Sequence, residues 1–287
     1  MPITFVLLPI AFLAVWSTAS SAQVRSPAWW QLLLVASGVT ALYEGLMGWQ
    51  GVPLAAALWG ASHQWNGAHS RRARIAWAST AIVLAAALAT HLMPGFTAYL
   101  VAENVRLSPA SAPMTLHADF DKGFAGVLLL AYFCKRSESL ADWRQAVWTG
   151  LLVGIGTSFV VIWLVFALGA VRLDPKLPSI TGEWMAINLL LTCVFEEALF
   201  RGVLQASLAR LFAQAPKWSW LPLASASLLF GLVHAGGGPV LIVAAALAGL
   251  GYGLAYAMTG RIESAVIAHF TLNSIHFVFF TYPYAVR

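Results

Sequence analysis

The stretch Trp184–Leu204, WMAINLLLTCVFEEALFRGVL, has the length and hydrophobicity of a membrane-spanning helix. It nevertheless carries three charged side chains, those of Glu196, Glu197 and Arg201. A charged side chain near the centre of a bilayer costs ~2.5 kcal/mol or more on insertion scales. Three of them so close together need ion partners, water or a catalytic role, and we take this triplet as the main indication of function.

The composition of the whole chain is that of a membrane protein. Of its 287 residues, 60% are hydrophobic and only 9% are charged, and the mean hydropathy is +0.77. Soluble globular domains contain about 25% charged residues. We therefore predict an all-α fold, a polytopic transmembrane helical bundle. The formal net charge of +5 resides in short loops between apolar runs, where it orients the chain in the bilayer, so no nucleic-acid partner is expected.

Apolar runs of ~20 residues predict nine spans, and eight are equally defensible. The runs lie near residues 3–22, 28–48, 75–93, 120–134, 146–169, 184–204, 219–235, 239–258 and 263–281. A further apolar piece, Val52 to Trp59, is predicted to be re-entrant or interfacial because Gly51 and Pro53 separate it from its neighbour. The small residues at 17–22 suit signal peptidase, but no Lys or Arg precedes the first run, so we treat that run as a span.

Lysine and arginine cluster in alternate connections, which predicts that these connections are cytoplasmic. The clusters are Arg71, Arg72 and Arg74; Lys135, Arg136 and Arg144; Arg210 and Lys217; and Arg261. Nine spans would then place the amino terminus inside and the carboxyl terminus outside. The longest connection, Pro94 to Asp121, would lie outside. The compact, Ala-rich spans favour a bacterial inner membrane.

Helical geometry separates the two glutamates of the triplet. Residues four apart share a face, so Glu197 and Arg201 can form an ion pair, whereas Glu196 is turned away by roughly 100°. The pair is either purely structural or a support for a site. Glu196 has no cation at a suitable spacing within its helix and is expected to face a polar cavity.

Three more polar side chains lie in later apolar segments. His234 follows Phe230 by four residues, and His269 and Asn273 are four apart in the last run. Each has a structural alternative, either an interfacial position or an interhelical hydrogen bond. Together with Glu196 they come from three helices, and one shared pocket would satisfy them all. A carboxylate, two imidazoles and an amide are groups that activate water and stabilise an oxyanion.

The segments EEALFR, FGLVH and HFTLN, in this order, resemble the motifs of the CAAX protease and bacteriocin-processing family of intramembrane endopeptidases. The resemblance covers about Glu183 to Phe280. We therefore divide the chain into residues 1–182, amino-terminal transmembrane helices of unrecognised role, and residues 183–287, a catalytic helical core. The resemblance implies hydrolysis of a peptide bond in a membrane-anchored protein or peptide.

The resemblance also implies roles for the polar residues: Glu196 would polarise a water molecule with His234 beside it, and His269 and Asn273 would complete the site. The supporting residues would be Glu197 and Arg201. No cofactor is certain. The family has been described both as metal-dependent and as glutamate-dependent, and two His with one Glu remain compatible with zinc or another divalent ion. We favour the glutamate mechanism, since a carboxylate and an imidazole activate water unaided.

Two other classes of function stay open. Ion-coupled or proton-coupled transporters also use buried carboxylates and histidines, and they contain inverted repeats and broken helices. The first half of the chain shows no repeat of the Glu-Glu-Arg segment. A catalytically silent scaffold or immunity protein would keep the family's helices without its activity.

The depth of the site residues leads to one more prediction. If the span ended at Leu204, Glu196 would lie about 12 Å from the cytoplasmic end of its helix, at 1.5 Å per residue. His234 would lie about 22 Å from the cytoplasmic end of its own helix. The two side chains would then miss each other. We therefore predict that the helix continues through residues 209–212.

A shorter segment, DFDKGFAG, contains Asp119, Asp121 and Lys122. It resembles Asp-Lys segments that precede the core in some bacterial members linked to protein-sorting signals. The alternative is a solvated helix start.

Overall fold

The computed structural model describes residues 1–18, 28–90 and 93–286. The structure is 71% helical with almost no strand, which confirms the all-α membrane bundle. Ten helices lie within the described range: α1 Thr4–Trp16, α2 Trp29–Tyr43, α3 Gly51–Gly67, α4 Arg71–Ala89, α5 Phe120–Phe133, α6 Leu140–Ala167, α7 181–211, α8 Leu221–Leu232, α9 Gly238–Thr259 and α10 Ile262–Phe279. The end of the first predicted run, with most of its small residues, lies outside the described residues.

Four helices of the described range are long and apolar enough to cross a membrane, judged by length and composition. They are Arg71–Ala89, Leu140–Ala167, Ala235–Thr259 and Ile262–Phe279. Two shorter apolar helices, Thr4–Trp16 and Trp29–Tyr43, accompany them. The protein is therefore an integral membrane protein, and the count of eight or nine spans stays a prediction.

Helix α3 differs from the short interfacial piece predicted at residues 52–59. It runs for 17 residues, from Gly51 to Gly67. Pro53 is its third residue, in the first turn, where the missing N–H would have had no intrahelical partner. The proline therefore lies at the start of α3, which is separate from α2 as predicted, and α3 is longer than the predicted piece.

The connections predicted to be cytoplasmic meet at one end of the bundle. We call this the basic end and define it as the connections with the adjoining helix ends, residues 65–75, 134–139, 207–220 and 260–261. Arg71 Nη2 donates to the Leu211 carbonyl (3.4 Å), which joins two of these connections. Arg261 Nη1 donates to the Arg136 carbonyl (2.7 Å), which joins two more. The connections that are rich in Lys and Arg thus lie together at one end of the bundle.

The amino terminus does not lie at the basic end, contrary to the nine-span prediction. The backbone N–H of Ile3 donates to Glu44 Oε1 (2.6 Å) at the far end of α2. The carboxyl-terminal segment lies at the same far end, where the Ala112 N–H donates to the Tyr284 carbonyl (3.0 Å). The physical reason is α3, which adds one traverse of the bundle and brings both termini to one side.

The predicted long loop from Pro94 to Asp121 contains a two-stranded antiparallel hairpin, β1 Tyr99–Val105 and β2 Met114–Ala118. Leu116 of β2 packs in a cluster with Trp184 and Phe277, whose rings stack at 4.0 Å. The hairpin therefore covers the far ends of α7 and α10.

The start of α5 is less solvated than the alternative for DFDKGFAG supposed. The helix begins at Phe120, and Lys122 Nζ lies 3.6 Å from Asp119 Oδ2. Asp121, however, is only 2% exposed. This segment is a helix start packed inside the protein.

Helix α6 packs along α10 through two glycines, Gly150 and Gly154. A Cβ at Gly154 would lie 2.9 Å from the Cα of Ala268. Small residues of this kind allow helices to approach closely in lipid. A helix of the amino-terminal segment therefore backs the part of α10 that carries His269.

Candidate active site

Helix α7, which carries the charged triplet, alternates between two helical forms. The α-helical segments are Thr181–Ile187, Val194–Glu197 and Ala206–Leu211, and the π-helical segments between them are Asn188–Cys193 and Ala198–Gln205. π-Helical turns are rare and occur frequently at functional sites. The helix continues to Leu211, as predicted, so Glu196 lies roughly 22 Å from its end at the basic side, at 1.5 Å per residue. This is the depth expected for His234.

Glu197 and Arg201 form the predicted ion pair, fully buried. Arg201 Nη1 donates to Glu197 Oε1 (3.1 Å) and lies 3.0 Å from Oε2, and both side chains are 0% exposed. Arg201 Nη2 donates to the Gly249 carbonyl (2.8 Å). A Cβ at Gly249 would come within 3.3 Å of that nitrogen, so the glycine gives α7 room to reach α9. The close packing of α7 on α9 at Gly249 thus also holds the arginine.

His269 bridges the two adjacent glutamates. Its Nδ1 lies 2.8 Å from Glu197 Oε1, and its Nε2 lies 4.0 Å from Glu196 Oε2. Because an ionised carboxylate only accepts hydrogen bonds, Nδ1 carries the proton and donates it, and Nε2 faces Glu196. The Tyr252 ring stacks on the imidazole at 4.4 Å. The position and the tautomer of His269 are thus set by the buried pair.

Glu196 is the member of the triplet that remains accessible. Its side chain is 21% exposed, against 0% for Glu197. No residue of the described range donates a hydrogen bond to its carboxylate. The 4.0 Å gap between Glu196 Oε2 and His269 Nε2 is a distance that one water molecule can bridge. The split between the two glutamates therefore follows the one expected from helical geometry.

His234 lies against the Phe230 ring, which also contacts His269. The Nδ1 of His234 lies 2.7 Å from the Phe230 carbonyl, which it donates to, so its Nε2 is left available. The Phe230 ring lies 4.9 Å from the His234 ring and 5.8 Å from the His269 ring, centre to centre. No hydrogen bond or ion pair within the described range joins His234 to Glu196. Both imidazoles therefore lie against the Phe230 ring, and His234 is not directly hydrogen-bonded to the Glu196 carboxylate.

Asn273 lies beside this cluster and has partners that were not predicted. Its Nδ2 donates to Asn188 Oδ1 (3.2 Å) and lies 3.8 Å from Cys193 Sγ. Cys193 Sγ is also 3.4 Å from Asn188 Oδ1. These two residues are five apart, and an α-helix would put them on different faces. The π-helical turn brings them together, because its hydrogen bonds run from i to i+5.

The donors present do not make a complete metal site. Within the described residues, no group of three or more His, Cys, Asp or Glu side chains is placed to hold a metal ion. A structural zinc site needs four ligands and a catalytic one three from the protein.

One comparison with known proteins gives a match to the carboxyl-terminal part of the chain. Residues 178–275 match the family described as "Type II CAAX prenyl endopeptidase Rce1-like". The matched segment contains all three motifs and confirms the resemblance to CAAX proteases. Neither a curated protein nor a solved structure gives a significant match.

Proposed function

Since residues 178–275 belong with the type II CAAX prenyl endopeptidases, we propose that this protein hydrolyses a peptide bond of a membrane-anchored protein or peptide, within the membrane. The observation that supports this best is the position of His269, 2.8 Å from Glu197 and 4.0 Å from Glu196. It combines an accessible carboxylate with an oriented imidazole. We further propose that the membrane is a bacterial inner membrane.

Glu196 is the general base of the proposed reaction. Its carboxylate takes a proton from a water molecule held between it and the imidazoles, and the resulting hydroxide attacks the scissile carbonyl carbon. When the tetrahedral intermediate collapses, the protonated Glu196 gives the proton to the leaving amine. His234, whose Nε2 is unengaged, helps to orient the water.

His269 and Asn273 are the proposed donors to the oxyanion. In its imidazolium form His269 donates from Nε2 while Nδ1–H stays on Glu197. Asn273 contributes its amide N–H, which leaves Asn188 Oδ1 and donates to the oxyanion instead. The pair of Glu197 and Arg201 positions His269 and takes no part in bond breaking.

This route requires only side chains that the site contains, and we propose it in preference to a zinc mechanism. A chelator tests the choice. Cleavage by the purified enzyme is expected to persist in 1,10-phenanthroline or EDTA. Loss of cleavage that added Zn²⁺ restores would replace the glutamate mechanism with a metal mechanism.

The location of the site supports our proposal for the substrate class. A water-activating group about 22 Å from the helix end reaches peptide bonds close to a membrane anchor. In a bacterium, leader peptides and carboxyl-terminal sorting signals have such bonds, and we propose these ahead of prenylated tails.

The test is a cleavage assay in proteoliposomes with a panel of anchored peptides, analysed by mass spectrometry. Glu196→Gln is expected to lower the rate by ~10²-fold or more, the usual share of a general base, and His234→Ala is expected to lower it as well because the water loses an orienting group. Glu103→Gln removes an exposed carboxylate of β1 that is not one of the site residues, and it should leave the rate unchanged. Cleavage that survives both site substitutions would refute the assigned base.

A further inference from the structure

A second polar site lies at the basic end, away from the glutamates. A cavity of about 360 Å³ opens between the start of α4 and the end of α7. Its polar and aromatic lining consists of Trp65, His69, Arg71, Arg74, Ser207 and Arg210. None of these residues belongs to the candidate active site.

The three guanidinium groups are held in place by neutral oxygens. Arg71 and Arg74 each donate to a backbone carbonyl, at 3.4 and 2.9 Å. Arg210 Nη2 donates to Ser207 Oγ at 2.8 Å, and its guanidinium carbon lies 5.7 Å from the centre of the Trp65 ring. A guanidinium has five N–H donors, so each arginine keeps several for a ligand.

The charge of the cavity is not balanced by the protein. Three formal positive charges line it, and no carboxylate does. Within the described residues, none of Arg71, Arg74 and Arg210 forms an ion pair with Asp or Glu. Like charges gathered in one cavity repel each other, and an anion would relieve that repulsion.

We propose that this cavity binds the phosphate of an anionic phospholipid headgroup. Guanidinium groups bind phosphate through paired hydrogen bonds. The cavity lies at the start of Arg71–Ala89, one of the four helices that can cross a membrane, and Trp65 lies just before it. A site at the end of such a helix lies at headgroup depth, where anionic lipids are concentrated on the cytoplasmic side. This position favours a lipid phosphate over a free one.

Native mass spectrometry of the intact protein tests this proposal without a cleavage assay. The probes are phosphatidylglycerol, phosphatidylcholine and inorganic phosphate. Wild type is expected to bind phosphatidylglycerol at a saturable site and more tightly than either of the others. Arg74→Gln and Arg210→Gln should each weaken this binding about fivefold, the effect of one arginine near an anionic surface.

Arg72→Gln is the matched control, because Arg72 is exposed at the same end but does not line the cavity. Equal weakening by Arg72→Gln, or equal binding of phosphatidylcholine, would overturn the site. Equal affinity for inorganic phosphate would overturn the assignment to a lipid. Arg74 and Arg210 are both exposed, so neither substitution should prevent folding and either variant alone tests the site.

Discussion

The same substitution at two adjacent positions is expected to have different consequences: Glu197→Gln should lower the stability, and Glu196→Gln should lower the activity. Both changes remove one negative charge and keep the shape of the side chain. Glu197 is 0% exposed and contacts Arg201 and His269. Glu196 is 21% exposed, and its Oε2 lies 4.0 Å from His269 Nε2.

The structure sets the magnitude of each effect. Glu197→Gln leaves the Arg201 charge buried without a counter-ion, and removing one partner of a buried pair costs about 3–5 kcal/mol. We expect the lower end of this range, since a glutamine oxygen still accepts one hydrogen bond. Glu196→Gln breaks no hydrogen bond within the described range, so the free energy of unfolding should change by less than ~0.5 kcal/mol.

Two measurements on the same preparations separate these effects: the free energy of unfolding in micelles and the rate of peptide cleavage. Glu197→Gln should be destabilised. Glu196→Gln should remain as stable as wild type yet cleave ~10²-fold more slowly or worse. Adding Arg201→Gln to Glu197→Gln removes the unpaired charge, so the double variant should lose less than the sum of the single losses. Equal stability of the two glutamine variants would refute the division of roles.

Packing and pH give further expectations. Gly154→Ala should destabilise the protein by ~1–3 kcal/mol, because the new Cβ would lie 2.9 Å from the backbone Cα of Ala268, and a melting curve measures the loss. Gly156→Ala, whose Cβ would meet nothing within 4 Å, should show no such loss. Burial raises the pKa of Asp174, but its hydrogen bonds and the Lys176 charge outweigh this and hold the pKa below its usual value. Stability from Asp174 should therefore be lost as pH falls below ~4, and the melting temperature of Asp174→Asn should fall less steeply with pH in that range than that of wild type. An equally steep fall in both proteins would contradict this.

The division between Glu196 and Glu197 was predictable because it depends on local geometry alone. A turn of roughly 100° per residue separates adjacent side chains whatever the rest of the fold does. The extension of α7 to Leu211 was predictable for a similar reason, since the cost of burying charge at mismatched depths limits where the helix can end.

Other features depend on contacts between distant parts of the chain or on departures from the regular period. The link from His269 to Glu197 joins residues 72 positions apart, whereas the expected partner of His269 was Glu196. Asn188 and Cys193 meet only because their turn is π-helical, which a period of 3.6 residues does not predict. Their role as partners of Asn273 was missed for that reason.

Composition and local periodicity determine that this chain is a helical membrane protein and which glutamate is accessible. The cost of charge in lipid and the regular turn of a helix act within one segment, so they can be evaluated along the sequence. Tertiary packing decides the path of the chain through α3, the orientation of His269 and the gathering of three arginines in one cavity. These features depend on which helices lie side by side, and that choice is made by the packing of side chains from the whole bundle.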